Sequence, residues 1–350
     1  MTSPRITIAV DGMGGDHAPV SVMDGVALAL VKYPDADFVI FGDSQKLVPL
    51  VEARGFPALR VRVQHAPSVV SPEAKAAVAL RTGRDSSMRL AIDAVADGTA
   101  AAVVSGGNTG ALMAMALFVL RPLPGIERPA LTSLLPSRNG DVVMLDLGAN
   151  IECDSDNLIQ FALMGSAFAS AILGKQRPSV GLLNVGSEET KGKDSLREAA
   201  RVMKDAGQLP WRFHGFVEGN DITAGTVDVV VTDGFTGNVA LKTAEGVGKL
   251  YSDFLRKIFQ GSSLLCKLGY WLAKPAFHTL KERLDARRYN GAVFLGLQGI
   301  CVKSHGSMDG IGFANAIGVA HDLVKHGSND TIKAQLGQLS TLFGAGLQEG

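Results

Sequence analysis

An α/β fold on a mixed, largely parallel sheet is predicted by three features of this sequence. Short β-branched runs alternate with amphipathic helical stretches along most of the chain. That is the pattern of strands pairing in parallel under helices on both faces. One pair of strand-like runs is joined only by Ser137-Arg-Asn-Gly140, which is too short for a parallel crossover and demands an antiparallel hairpin. Glycine-rich polar turns follow strand after strand, where open α/β sheets bind ligands.

Arg5–Val10, Asp37–Gly42, Leu59–Gln64 and Ala101–Gly107 read as strands, rich in Val, Ile and Phe and bounded by turn residues. Val20–Val31, Ser44–Ala53, Glu73–Asp97 and Thr109–Val119 read as the helices between them. Leu131–Pro136 and Asp141–Gly148 form the hairpin. Ser179–Gly186, Trp211–Val217 and Val227–Gly234 continue the strands, two runs within Gly291–Gly306 close the series, and a helix follows over Asp309–Lys325. Residues 327–350 read as a weak helix with a frayed end. A length of 350 residues fits one large domain or two small ones, and no linker or repeat divides it.

Residues 249–288 stand apart, with nine Lys/Arg against three Asp/Glu in a chain whose charges balance at 34 each. The segment also carries Tyr251, Phe254, Ile258, Trp271 and Phe277, and Gly261 breaks it into a helical hairpin. Such a hairpin suits a second subunit, an anionic membrane or an acidic carrier protein; burial of its apolar stripe in a dimer or the core is the plain alternative.

The zero net charge argues against a nucleic-acid partner. Cys153, Cys266 and Cys301 are far apart, without a paired motif, so neither a disulfide framework nor a zinc knuckle is expected and a reducing cytosol is the simplest compartment. The first residues lack the apolar stretch of a signal peptide. The longest purely apolar run, Ala111–Leu120, is ten residues, about half of what a membrane span needs. No phosphate-binding P-loop, dinucleotide fingerprint, HExxH or G-x-S-x-G motif is present. The seven histidines show no ligand spacing, and Glu152, Asp154 and Asp156 read as helix caps, so no metal or cofactor is expected.

Six polar turns carry the candidate chemistry: Asp11–His17, Ser105–Gly110, Asp146–Asn150, Asn184–Lys193, Asp233–Asn238 and Ser304–Ser307. Glycine lets backbone N–H groups approach an anion, and a helix N-terminus adds a positive dipole end. Six such turns in one α/β chain suggest one shared cleft. His17 and His305 lie in such turns; Lys191 and Lys193 flank a glycine and could neutralise phosphate, or be solvated surface lysines. The cysteines read as packing residues rather than nucleophiles.

Taken together, DGMGGDHAP, SGGNTGALM, LDLGANIECDSDNLIQFA, NVGSEETKGKD, TDGFTGNVALKTAEG and VKSHGSMDGIGFANAI, in this order, resemble the bacterial phosphate acyltransferases, the acyl-carrier-protein:phosphate transacylases, over residues 5–325. Gly12 stands where that family usually has Ala, and Met308 where it has Ser. The resemblance implies a three-layer αβα sandwich of the isocitrate/isopropylmalate dehydrogenase kind, one domain of two intertwined halves around a central cleft. It also implies a homodimer, a cytoplasmic enzyme associated with the inner membrane surface, and no cofactor. The implied reaction joins inorganic phosphate to an acyl group carried by acyl carrier protein. A membrane-bound glycerol-3-phosphate acyltransferase then consumes the acyl phosphate in phospholipid synthesis.

The residues suit that chemistry, since phosphate brings its own nucleophilic oxygen and the protein need only position it and stabilise an oxyanion. Asn108, Lys191 and His305 are the catalytic candidates. Asp11, Gly14, Gly15, Asp16, His17, Gly107, Thr109, Gly110, Asn184, Lys193 and Asn238 are the candidate lining for phosphate and acyl phosphate. Three other readings were weighed against this one: a short-chain phosphate acyltransferase using acyl-CoA, an NAD-linked 2-hydroxy-acid dehydrogenase on the same fold, and an inactive membrane scaffold.

Overall fold

The structure, a computed structural model, describes residues 5–206, 209–261, 269, 271–275 and 285–343. Its strands are β1 (Ile6–Asp11), β2 (Ala36–Gly42), β3 (Val61–His65), β4 (Ala102–Ser105), β5 (Ala130–Ser137), β6 (Gly140–Leu145), β7 (Ser179–Leu183), β8 (Arg212–Val217), β9 (Val229–Val231), β10 (Ala292–Leu295) and β11 (Ile300–Lys303). Its helices are α1 (Val20–Lys32), α2 (Ser44–Ala53), α3 (Ala76–Thr82), α4 (Ser87–Ala96), α5 (Thr109–Leu120), α6 (Ser155–Leu173), α7 (Asp194–Asp205), α8 (Gly219–Ala224), α9 (Gly234–Gly261), α10 (Gly310–Lys325) and α11 (Ser328–Phe343).

Among the described residues the strands form one sheet in the order β3-β2-β1-β4-β11-β10-β5-β6-β9-β7-β8. β1 to β4 and β11 are mutually parallel. β10 runs against both β11 and β5, and β5 runs against β6. β6, β9, β7 and β8 are parallel among themselves. Counting these reversals across the sheet, β6 to β9 point opposite to β1–β4 and β11. The sheet is thus mixed and largely parallel, with the hairpin at β5–β6 as expected.

Side chains alternate between faces along each strand. Ile8, Val10, Val143, Leu145, Val229 and Val231 meet α1, α6, α7, α10 and α11 on one face. Ala9, Val103 and Cys301 meet α3, α4 and α5 on the other, and Val142, Met144 and Val230 meet α8 and the first turns of α9 there. These are the three layers. Ser155–Leu173 is long and apolar enough by length and composition to cross a membrane, but it is largely buried here as the core helix α6.

Two boundaries differ from expectation. The single helix over 73–97 is two, because Gly83 ends α3 and the Ser86 hydroxyl accepts from the Arg89 N–H (3.2 Å) to start α4. The helix assigned from residue 249 begins at Gly234 instead, despite Gly237, Gly246 and Gly248. It ends at Gly261, where a break was expected. Much of the expected second arm, including Cys266 and His278, lies outside the described residues, as do 344–350 of the tail.

Candidate active site

The turns after β1, β4 and β11 meet backbone to backbone. The Asp16 N–H donates to the Gly306 carbonyl (2.8 Å), and the Ser304 N–H to the Ser105 carbonyl (2.9 Å). No side chain fits between them: a Cβ on Gly14 would lie 2.3 Å from Asp11 Oδ2 and 2.7 Å from the Gly107 nitrogen. Gly15, at φ +121°, occupies backbone space closed to other residues. The N–H groups of Gly14 and Gly15 have no protein acceptor among the described residues, and those of Thr109 and Gly110 open the first turn of α5.

Buried polar groups hold this junction. Asp11, 1% exposed, accepts from the Ser87 hydroxyl (2.6 Å), the Ser105 hydroxyl (2.7 Å) and the Met13 N–H (3.3 Å). Desolvation pushes its carboxyl above the usual range, against those donors and Lys303. Lys303, also buried, donates to the Gly106 carbonyl (3.3 Å) and to the Ser304 carbonyl. Desolvation brings its ammonium down to about 8, while Asp11 and Asp16 resist the fall. The His305 N–H donates to Asn290 Oδ1 (2.8 Å), which fixes the backbone of that turn. The Ser307 N–H donates to His305 Nδ1 (3.3 Å). A backbone N–H can only donate, so the neutral imidazole carries its proton on Nε2. Desolvation, then Lys303 and Lys242, hold His305 below its ordinary pKa.

The turns after β6, β7 and β9 form a second group. Asp146 accepts N–H bonds from Leu131, Gly148, Ala149 and Asn150 and a side-chain bond from Asn150. The Gly234 N–H donates to the Asn150 carbonyl (2.7 Å), tying β9's turn to β6's. Lys193 Nζ donates to Asp233 Oδ2 (2.8 Å). The Asn184 amide shapes its own loop, donating to the Lys191 carbonyl (3.1 Å) and accepting from the Val185 N–H (2.9 Å). Asn238 packs against Gly148.

The six turns thus fall into two hydrogen-bonded groups of three. The reversal at β5–β6 makes the strands of the second set run opposite in sense to those of the first. α9 links the two sets: it starts in the second group and brings Lys242 and Glu245 within electrostatic reach of His305 in the first.

Of the residues singled out from sequence, Asp11, Gly14, Gly15, Asp16, His17, Gly107, Asn108, Thr109, Gly110 and His305 fall in the first group. Asn184, Lys191, Lys193 and Asn238 fall in the second. Asn108, expected as an oxyanion donor, has both amide hydrogens engaged by the Pro72 (2.7 Å) and Ala74 (3.0 Å) carbonyls. Its Oδ1 accepts from the Ala111 N–H (2.9 Å) as the N-cap of α5. It anchors the site instead of donating into it. Lys191 is exposed. Sequence reasoning missed Lys303, whose one signal is a lysine ending an otherwise apolar strand, and Ser87, which carries no signal at all. Cys153 and Cys301 have thiols pushed up to about 12 by burial, an inert state for a nucleophile.

Comparison with known proteins follows the same lines. The sequence profile described as "Fatty acid synthesis protein" matches residues 6–331. A phosphate acyltransferase of Rhodospirillum centenum is 59% identical over 345 residues, 98% of this chain and 96% of that protein. One from Paramagnetospirillum magneticum is 56% identical over 339 residues, 96% and 95% of the two chains. Among solved structures, a phosphotransacetylase of Streptococcus pyogenes superposes with a TM-score of 0.60 at 17% identity, covering 92% of this chain and 94% of its own. The EutD phosphotransacetylase of Staphylococcus aureus gives 0.58 at 15% identity, covering 91% and 94%. Likeness at this identity speaks for the fold.

Proposed function

This chain belongs to the phosphate acyltransferase family, and on that premise we propose that it makes acyl phosphate from inorganic phosphate and an acyl group on acyl carrier protein, for phospholipid synthesis. One observation carries the reading: the glycine turns after β1 and β4 close on each other without room for a Cβ at Gly14 or Gly106, and the turn after β11 packs against both. They leave the N–H groups of Gly14 and Gly15 without protein acceptors among the described residues. Backbone N–H groups above a buried lysine suit a tetrahedral oxyanion.

In the proposed reaction a phosphate oxygen adds to the thioester carbonyl. The carbonyl oxygen becomes an oxyanion held by N–H donors of these turns, worth roughly 3–4 kcal/mol for each well-aimed donor. Collapse breaks the carbon–sulfur bond and forms the mixed anhydride, and the thiolate leaves. Neutral His305, with its proton on Nε2, is the donor for that thiolate. The bond made and the bond broken balance without an oxidant or a covalent enzyme intermediate.

The exposed apolar stripe of α9, with Val247, Leu250, Tyr251, Phe254 and Ile258, supports the proposal of a homodimer that also rests on the inner membrane surface. There it would pass its product to a membrane-bound glycerol-3-phosphate acyltransferase.

The test is thiol release from acyl carrier protein charged with a long-chain acyl group, with and without phosphate, beside acyl-CoA as donor. Phosphate-dependent release, faster from the carrier protein, is expected. Release from short-chain acyl-CoA alone would replace this reading with the short-chain one.

A further inference from the structure

We propose that Lys303 is the positioning cation of the phosphate subsite: its buried ammonium neutralises Asp11 and Asp16 and holds the Gly106 carbonyl away from the incoming anion, so that phosphate meets N–H groups and not carboxylates. This rests on the acyl-transfer reading above and deepens it.

The geometry carries the argument. Lys303 is the last residue of β11, in register with Ser105 at the end of β4. Its side chain is 8% exposed and donates to the carbonyls of Gly106 and Ser304. It is therefore a buried cation beneath the junction of all three turns. Two carboxylates act on it, Asp11 from β1 and Asp16 from the following turn. An anionic substrate entering a junction that already holds two negative charges would be repelled, and inside protein such repulsion is several times stronger than in water. A buried ammonium cancels part of that charge. By taking the Gly106 carbonyl it also fixes the peptide plane that precedes Gly107. Cys301, two residues back on β11, is a protonated thiol and adds no charge near neutrality. His305, two residues on, is held neutral by its surroundings. Lys303 is thus the buried cation at these turns, with Lys242 of α9 acting on His305 from the α9 side.

Its ammonium loses its proton near pH 8, so the subsite should fail for phosphate in mild alkali, where phosphate itself is already dianionic. The experiment measures the KM of phosphate and of the acyl donor separately across pH. For the wild type, the phosphate KM should rise about tenfold per pH unit above about 8, with the donor KM flat. Lys303→Met should raise the phosphate KM roughly tenfold or more at neutral pH and abolish its alkaline rise. A variant with the wild-type phosphate KM and the wild-type alkaline rise would overturn the proposal.

Should Lys303→Met not fold, Asp16→Asn, at an exposed position, carries the test. Removing a carboxylate that holds the Lys303 proton must move the alkaline rise to lower pH, and an unmoved rise would also overturn the proposal. Loss of all phosphate-dependent thiol release in the wild type is a different result, which defeats the acyl-transfer reading itself.

Discussion

Gly14→Ala is the sharpest test of the first glycine junction. The new Cβ would lie 2.3 Å from Asp11 Oδ2 and 2.7 Å from the Gly107 nitrogen, both closer than carbon is found to such atoms. Neither neighbour yields cheaply. Asp11 Oδ2 accepts from Ser105 and its Oδ1 from Ser87, and the Gly107 nitrogen donates to the Ser105 hydroxyl (3.1 Å). Overpacking a tight site costs about 1–3 kcal/mol, and losing one bond to a buried carboxylate costs about 1.5–3 more. Less the roughly 0.5–1 kcal/mol that alanine gains by restricting the unfolded chain, a net loss of roughly 2–5 kcal/mol follows. At about 2 °C per kcal/mol for a chain of this size, the melting temperature falls by roughly 4–10 °C, and the phosphate KM rises with it. Gly110→Ala is the control in the neighbouring turn. Its Cβ would meet nothing closer than 3.6 Å, and alanine is the better helix former by about 1 kcal/mol, so its melting temperature holds or rises. Gly14→Ala with wild-type melting and a wild-type phosphate KM would refute the claim that these turns close on each other.

Three further outcomes follow from the same geometry. Asn108→Ala loses the α5 cap and two bonds to the 72–74 loop, a cost of about 2 kcal/mol by thermal melting; Asn108→Asp keeps the cap acceptor and should fall between. Burial alone would raise the Asp233 carboxyl, but hydrogen bonds from Lys193 and Thr236 outweigh it and hold it below the usual range. Its stabilisation is therefore present above the ordinary carboxylate pKa and lost as pH falls through the folded value. Lys193→Met should be at most about 1 kcal/mol less stable at neutral pH, because Lys193 is mostly exposed, with the gap closing in acid. Cys153 and Cys301, with thiols near 12, should stay unalkylated by iodoacetamide in mild alkali while a small free thiol reacts fully. Peptide mass spectrometry reads this directly, and rapid labelling of the half-buried Cys153 would count against the raised pKa of its thiol.

How much of this was legible in the sequence depends on the range of the interaction that decides it. The strand runs were legible because β-branched density and bounding turns are local properties, and β1, β2 and β4 fall within a residue or two of expectation. The split of residues 73–97 was legible in principle, since Gly83 and Ser86 are an ordinary helix stop and start. α9 was harder. Its three interior glycines argue against a helix locally, and what sustains it is packing of Ala240 and Leu241 on the sheet, a long-range fact. Lys303 was invisible for the same reason: a terminal lysine reads as solvated until two loops distant in sequence close over it.

The division of the six turns into two groups lies between these cases. A hairpin reverses chain direction, so once β5–β6 is accepted, β6 must run against β5, and parallel crossovers carry that reversed sense through β7, β8 and β9. What no local pattern shows is that β5 runs with β1 and β4, because that depends on β10 inserting between β11 and β5 from the far end of the chain. With that insertion the two sets of strands run in opposite senses. The first set is the one placed around a buried lysine, which is why the phosphate subsite is proposed there. In the second set Lys193 is already paired to Asp233. α9 then matters as the structural link between them. Lys242 on α9 lowers the proton affinity of His305, the donor proposed for the leaving thiolate, so a substitution that displaces α9's first turn should move the pH profile of thiol release.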